Sequence, residues 1–168
     1  MRKIKKPGRL TVKHPFLKGL SSDHKEKLLK LGSKAALSKG DVLFNRLEKA
    51  DQFYLLLKGK VDLIGSEQDV RFDRELERKV FQTLSAGDVV GLSWVLSPYR
   101  WSFDAVVRQD CQLLVIDGVR LRKLMAQKPI FGYEIYKRMV PIMNERLVAA
   151  RVRLQMFGAT PFSQAEGG

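Results

Sequence analysis

The middle of the chain, residues 34–117, consists of short apolar runs that alternate with turn residues. Val, Leu, Ile, Phe and Tyr dominate the runs, and glycine-containing steps separate them at intervals of roughly 8–12 residues, which is typical of a β-sandwich or β-barrel. The charged stretch 66–79 alternates only loosely and predicts an exposed hairpin arm or a loop. The predicted strands are 42–44, 53–57, 61–64, 80–84, 105–107 and 113–116.

A pair of short helical elements precedes this β region. Residues 16–20 predict a single helical turn closed by a glycine. The sequence Ser21-Ser22-Asp23 then supplies an N-cap for a second helix, which buries Leu28, Leu29 and Leu31. Gly32 is expected to stop this helix.

The C-terminal part of the chain is helical again. A short helix is predicted over 119–127, with Pro129 ending it. A long helix follows over 130–157 and ends at Gly158. Pro141 lies inside this helix, where a proline kinks a helix or starts its second half.

One face of the long helix carries apolar residues with a 3.5-residue period, which is typical of a coiled-coil seam. We expect this seam to join two chains as a parallel homodimer, with its first half, near Tyr136 and Val140, packing on the chain's own β domain. The alternative is that the whole seam folds back as intramolecular core. The seam consists of Tyr136, Val140, Met143, Leu147, Ala150, Leu154 and Phe157.

Composition narrows the class of protein. The chain has 168 residues, of which 45% are apolar and 29% charged, so one globular domain is expected. No apolar run approaches the ~20 residues of a membrane helix, and no secretory signal is visible. The single cysteine, Cys111, cannot form an internal disulfide, which favours a reducing, cytoplasmic location.

Positive charge is concentrated at the N-terminus. The formal net charge is +13, and the first 20 residues carry seven Lys or Arg and no acid. Residues 1–13 therefore predict a flexible basic arm, which either is simply solvated or contacts nucleic acid weakly, since each phosphate contact releases counterions. Residues 14–157 form the predicted domain, and residues 158–168 predict a disordered tail.

Four separated segments carry a resemblance to one known family. They read HPFLKGL at 14–20, KGDVLF at 39–44, ADQFYLLLKGKV at 50–61 and LSAGDVVG at 84–91. In this order and spacing the chain resembles the cyclic nucleotide-binding domain family, the sensor module of catabolite-activator-type regulators, over residues 14–157. The resemblance implies a mainly β fold with flanking helices (α+β), a cupin-like eight-stranded β-roll or jelly roll with N-terminal helices and a long C-terminal helix.

By this resemblance, residues 91–105 are the cassette that binds the cyclic phosphate. Gly91 matches the family's pattern. The next position, where the family has a glutamate that binds the ribose, is Leu92, which offers no acceptor. Counted from Cys111, the family's phosphate-binding arginine falls on Trp101, with Arg100 beside it. We therefore expect weak or absent binding of cyclic AMP and cyclic GMP.

Aromatic residues crowd this cassette, and both tryptophans of the chain lie in it. Either these rings fill the vacated pocket as core, or they wall a repurposed site in which Arg100 anchors an anion and serine hydroxyls donate hydrogen bonds. The candidate ligand is then a cyclic nucleotide or another small anion, and no other cofactor is predicted. The candidate ligand-binding residues are Gly91, Leu92, Ser93, Trp94, Arg100, Trp101 and Ser102.

No catalytic arrangement is visible in the sequence. The two histidines, His14 and His24, lie outside the predicted strands, so a cupin-type metal site is not expected. Cys111 has no histidine nearby in sequence and predicts a buried structural thiol. Eleven residues follow Phe157, too few for a helix-turn-helix domain.

We therefore expect a non-enzymatic, dimeric sensor or adaptor that binds a small ligand or a protein partner and no membrane. The alternatives are a genuine receptor for cyclic AMP or cyclic GMP, and an adaptor that contacts nucleic acid through its basic arm and long helix.

Overall fold

The computed structural model describes residues 12–69 and 74–158, with side chains described for all of these except 66–69, 74–77 and 154–158. The helices are α1 (Ser22–Leu29), α2 (Gly118–Gln127) and α3 (Pro129–Gly158). The strands are β1 (Gly32–Leu37), β2 (Val42–Phe44), β3 (Gln52–Asp69), β4 (Arg74–Ser85), β5 (Val89–Val90) and β6 (Asp104–Asp117). Single 3₁₀ turns span Pro15–Leu17 and Ser93–Val95.

The strands form one antiparallel sheet in the order β1-β6-β3-β4, with β2 added on β6 and β5 added on β3. The sheet is not closed, and helices flank it, which confirms the predicted fold class. Six strands are present in the described residues instead of the predicted eight. The reason is that β3 contains both 53–57 and 61–64, and β6 contains both 105–107 and 113–116.

Gly59 explains why one strand reads as two. Its φ is +91°, and the pairing of β3 with β6 shifts register around it. A Cβ at this position would lie 2.7 Å from Cα of Cys111 and closer still to the Asp110 carbonyl oxygen. Glycine therefore lets β3 bend tightly over β6 without ending the strand. A residue that suggests a turn in the sequence forms a β-bulge in the structure.

β1 is not among the strands predicted from the sequence. Its residues, Gly32–Leu37, include no β-branched or aromatic side chain and carry little local strand signal. Pairing along β6, from Gly32 opposite Ile116 to Leu37 opposite Cys111, makes this segment a strand. Gly32 is thus the first residue of β1, and the helix before it ends earlier, at Leu29.

The N-terminal segment is fastened to the sheet through His14. The Phe16 amide donates to Nδ1 of His14 at 3.1 Å, so the other ring nitrogen carries the proton and donates to the Asp88 carbonyl at 3.2 Å. Burial lowers the pKa of His14. The predicted N-cap of α1 is confirmed, because the Ser21 hydroxyl accepts from the His24 amide at 3.2 Å.

The core confirms the prediction for Cys111. This thiol is buried on β6, and burial raises its pKa, as expected for a structural cysteine. α2 begins where Asp117 accepts from the Arg120 amide at 2.9 Å, and it buries Leu121 and Met125. No helix in the described ranges is long and apolar enough to cross a bilayer.

α3 runs without interruption through Pro141, which confirms the long helix. The fully buried side chains of α3 are Phe131, Ile135 and Met139, which belong to the core. The expectation that Tyr136 and Val140 pack on the β domain is wrong, because these side chains are 48% and 60% exposed. The inward positions belong to Ile135 and Met139, each one residue earlier, which is about 100° around the helix.

Apart from Met143, which packs against the core, the described part of the seam is therefore not intramolecular core. Leu147 is 57% exposed and Ala150 is exposed as well, whereas Met143 is half-buried. The side chains of Leu154 and Phe157 lie outside the described residues, as do the tail from 159 onward and the basic arm apart from Val12 and Lys13. The predicted hairpin over 66–79 is present in the backbone, since β3 and β4 remain paired from Lys60–Ser85 out to Asp69–Arg74.

Candidate functional site

The cassette begins at Gly91, which directly follows β5 and has a φ of +80°. A Cβ on Gly91 would lie 2.7 and 2.8 Å from two atoms of the Trp101 indole and 3.4 Å from the Phe44 ring. The indole thus lies directly against the backbone of the residue that opens the cassette. Trp101 itself is 4% exposed.

Both tryptophans of the cassette belong to aromatic stacks, and the Trp101 stack lies against Gly91. Trp101 stacks on Phe44 with ring centroids 3.9 Å apart, and Phe44 stacks in turn on Tyr54 at 5.9 Å. Trp94 stacks separately on Phe53 at 4.7 Å and is fully buried. Such contacts are typical of a packed core.

Backbone hydrogen bonds tie the cassette to the loop between β2 and β3. The Trp101 amide donates to the Glu48 carbonyl at 3.0 Å, and the Trp101 carbonyl accepts from the Leu47 amide at 2.9 Å. The Tyr99 carbonyl accepts from the Ala50 amide at 2.7 Å, and the Tyr99 amide donates to the Leu96 carbonyl at 2.8 Å. Cassette amides that are already donating within the protein are not free for an anion.

The polar candidates of the cassette lie toward the surface. Arg100 is exposed, and its Nη1 donates to the Leu47 carbonyl at 2.7 Å. The hydroxyls of Ser93 and Ser102 are 3.5 Å apart. Leu92 is half-buried and packs against the core. The structure therefore brings Gly91 together with Trp101, and Ser93 together with Ser102. The Arg100 side chain instead contacts the loop between β2 and β3.

Arg122, on α2, is a cassette contact that the sequence analysis missed. Its Nη1 donates to the Trp94 carbonyl, and its guanidinium carbon lies 4.1 Å from the centroid of the Tyr99 ring. A basic residue on an amphipathic helix carries no local signal for such a contact, so only the fold reveals it. Trp94 Nε1 is buried and has no hydrogen-bond partner among the described residues.

Open space lies away from the cassette. A cavity of about 620 Å³, here called the α3 cavity, is bounded by the 3₁₀ turn at Pro15–Leu17, the β4–β5 turn and α3. A second cavity of about 620 Å³ lies on the outer side of β1 and β6, beside Cys111. Neither cavity includes a cassette residue in its lining.

Comparison with known proteins agrees with this architecture. A cyclic nucleotide-binding domain from Methylobacillus flagellatus has a similar structure, with a TM-score of 0.70, 18% identity, and coverage of 81% of this chain and 73% of that one. The Thermus thermophilus catabolite activator protein gives a TM-score of 0.66 at 19% identity, covering 86% of this chain and 63% of that one.

A third similar structure is the c-di-GMP responsive global regulator CLP of Xanthomonas campestris, with a TM-score of 0.67, 20% identity, and coverage of 83% of this chain and 66% of that one. Identities this low establish the fold alone. A sequence search of curated proteins gives no match. The family model of the cyclic nucleotide-binding domain matches residues 34–128, more than half of the sequence. The chain therefore belongs to the cyclic nucleotide-binding domain family, a family of regulatory sensor domains.

Proposed function

We propose that this protein is a non-enzymatic regulatory domain whose cassette is filled by its own aromatic side chains. In this function the cassette does not hold cyclic AMP or cyclic GMP in the manner of the family. The protein acts as a dimer through α3 and transmits a signal by binding a different small ligand or a protein partner.

The observation that carries the proposal is the position of Trp101. Its indole lies within van der Waals distance of Gly91 and of Phe44, in the position that the family resemblance gives to a phosphate-binding arginine. A nucleotide entering there would have to displace an almost completely buried indole from its stack. Removing so large a buried ring costs about 3–5 kcal/mol, which binding would have to overcome.

Two further features support a cassette that has lost its ancestral ligand. Leu92 offers no acceptor to a ribose hydroxyl, and a buried unpaired hydroxyl costs about 1–3 kcal/mol. Arg100 is exposed and donates to the Leu47 carbonyl, so part of its hydrogen-bonding capacity is used within the protein. A relative with the same fold is described as c-di-GMP responsive, which supports a ligand other than the two common cyclic mononucleotides.

The exposed seam supports the dimer. Tyr136, Val140 and Leu147 form an apolar stripe on α3 that no described residue of the same chain covers. An apolar stripe with a 3.5-residue period is stable in water when a second helix covers it. A non-enzymatic role fits Cys111, since burial raises the pKa of this thiol and so disfavours the nucleophilic thiolate.

Titration calorimetry at physiological salt tests the ligand part of the proposal. We expect no binding of cyclic AMP or cyclic GMP up to roughly 100 µM, because the lost ribose and phosphate contacts each weaken binding tenfold or more. The same titration is run with c-di-GMP. Binding of either mononucleotide at micromolar concentration would contradict the proposal and favour a genuine cyclic nucleotide receptor.

A matched pair of variants locates any binding that is found. Arg100→Met removes the one cassette arginine and leaves its exposed stem, whereas Arg120→Met removes a comparable charge from α2. If a cyclic nucleotide binds the wild type and only Arg100→Met weakens it, the cassette is functional and the aromatic filling yields to ligand.

A further inference from the structure

The α3 cavity has the properties of a small-molecule site. Its volume of about 620 Å³ falls within the range of ligand pockets in proteins. Its floor is apolar and is formed by Phe16, Leu84 and Val89, which are all buried, while Ile142 of α3 forms part of one wall. A cavity that combines an apolar floor with charged side chains around it suits an amphipathic ligand better than a sugar or a bare ion.

Arg146 is the charged group that faces this cavity without an acid partner. Its guanidinium donates to the Val89 carbonyl, and it forms no salt bridge within the described part of the chain. Burial lowers the pKa of Arg146, while the charges of Asp88 and Glu145 oppose that shift. A guanidinium has five N–H donors. The Val89 carbonyl oxygen accepts from only part of these donors, and it carries no negative charge to pair with the guanidinium.

Arg138 stands two helical turns earlier on the same face of α3 and lines the same cavity. It is fixed by Glu134, whose carboxylate accepts from Nη1 at 2.6 Å, and by the Lys18 carbonyl at 3.3 Å from Nη2. Its Nε is nevertheless buried and has no hydrogen-bond partner among the described residues. A second buried donor therefore borders the cavity.

The acids of the cavity favour the charged form of Arg146 but form no salt bridge with it among the described residues. Asp88 uses its carboxylate to accept from the Ser85 amide at 2.7 Å, within the β4–β5 turn. Glu145 is exposed beside Arg146 on the helix, and Lys137 adds a further positive charge to the lining. Glu134 is already paired with Arg138.

We propose that the α3 cavity binds a small amphipathic anion, with a carboxylate or phosphate head on Arg146 and an apolar body against Leu84, Val89 and Ile142. Charge-assisted hydrogen bonds from a guanidinium are strongest to these two head groups. The site shares no residue with the cassette and none with the seam, so it stands or falls independently of the function proposed above.

The full chain is titrated with octanoate, octyl phosphate, 1-octanol and inorganic phosphate, with calorimetry and thermal unfolding as readouts. We expect one octanoate or octyl phosphate per chain, with octanol and inorganic phosphate each binding at least tenfold more weakly, because each lacks one half of the recognised chemistry. Which of the two amphipathic anions binds more tightly identifies the head group.

Arg146→Met tests the anchor while keeping its apolar stem, and Arg151→Met, an exposed position on the same helix, is the matched control. We expect Arg146→Met to weaken octanoate at least tenfold and Arg151→Met to leave it unchanged. Equal binding by both variants, or no binding of either amphipathic anion by the wild type at about 1 mM, would overturn the proposal.

Amide chemical shifts of the wild type locate the site without any variant. Binding in the α3 cavity moves the signals of Gly87, Asp88 and Ile142 and leaves the indole signals of the two tryptophans in place. Movement of the Trp101 indole signal together with Gly91 would place the ligand in the cassette. That outcome would refute the α3 site and contradict the filled cassette separately.

Discussion

The start of the cassette at Gly91 and the β4–β5 turn at Gly87 lie on either side of β5, and they differ in what occupies the space beside them. At Gly91 the protein's own indole occupies the space, and the amides of Tyr99 and Trp101, later in the cassette, donate within the protein. At Gly87, four residues earlier, the turn borders an open cavity, and a Cβ there would lie 3.6 Å from its nearest neighbour, an atom of the Pro15 ring. The region that gives the family its name is packed, while the region beside it offers space and an unpaired charge.

The difference shows that a ligand-binding fold and its ligand site are separable. The glycines at turns and the buried aliphatic residues that build the β-roll are retained here, because the fold needs them. In the function proposed above, the cassette does not hold a cyclic mononucleotide, so its polar residues are not required. Bulky apolar side chains at these positions then stabilise the domain by filling the pocket.

Truncating the Trp101 indole is the strongest test of whether the cassette is tightly packed. Trp101→Ala removes a nearly buried ring from the Phe44 stack, and we expect it to lower the free energy of unfolding by about 3–5 kcal/mol. Phe103→Ala, in the same segment but 39% exposed, should cost about 1 kcal/mol or less. Urea unfolding measures both. A cost for Trp101→Ala as small as that for Phe103→Ala would mean that the cassette is loosely packed.

Charging the seam tests the surface of α3 that lies next to the cavity. Val140→Glu with Leu147→Glu removes apolar contacts and sets like charges opposite each other, so the dissociation constant should rise at least about a hundredfold while the chain stays folded. Light scattering and circular dichroism separate the two effects.

The matched control is Val148→Glu with Val152→Glu. These side chains are also exposed on α3, but they lie about 100° or more around the helix from the seam. We expect the control to remain dimeric. A wild type that is monomeric at tens of micromolar, or a control that dissociates equally, contradicts the seam.

Alanine substitutions at Gly91 and Gly87 compare the packing at the two positions directly. Both have positive φ, +80° at Gly91 and +99° at Gly87, so an alanine has a similar conformational cost of about 1 kcal/mol at each. Gly91→Ala adds overlap with the Trp101 ring, and we expect a further loss of about 1–3 kcal/mol. Equal losses of stability in chemical denaturation would show that the indole moves aside easily.

Lowering the pH should reduce the stability of the protein through His14, on the cavity side, and much less through the cassette. Because burial lowers the pKa of His14, the unfolded chain binds more protons than the folded chain at pH values below about 6.5. Stability is therefore complete above roughly pH 7 and declines as the pH falls through 6.5 toward the folded pKa. The loss arises chiefly because the charged imidazole is unfavourable when buried, and protonation of Nδ1 also removes the Phe16–His14 hydrogen bond, which contributes about 1 kcal/mol.

Substitution of His14 identifies the source of this pH dependence. His14→Asn keeps an N-cap acceptor but does not titrate, so its urea midpoint should vary less between pH 7 and pH 5 than that of the wild type, which is measured in parallel. An unchanged slope in His14→Asn would assign the acid sensitivity to other groups.

The sequence alone was enough to predict the family, the β-roll with flanking helices, the N-cap of α1 and the buried thiol. These follow from apolar periodicity, turn-forming glycines and capping residues, which act over a few positions of the chain. It also placed Leu92 and Trp101 at the cassette positions where the family has a glutamate and an arginine.

Which face of α3 turns inward depends on the fold, and there Ile135 and Met139 replace the expected Tyr136 and Val140. Periodicity identified one apolar face of that helix, but packing in the core buries another. The same holds for Gly59, a bend inside one strand because β6 passes beneath it, and for β1, which is a strand because β6 pairs with it. The α3 cavity joins residues from three distant segments, so no local pattern of the sequence announces it.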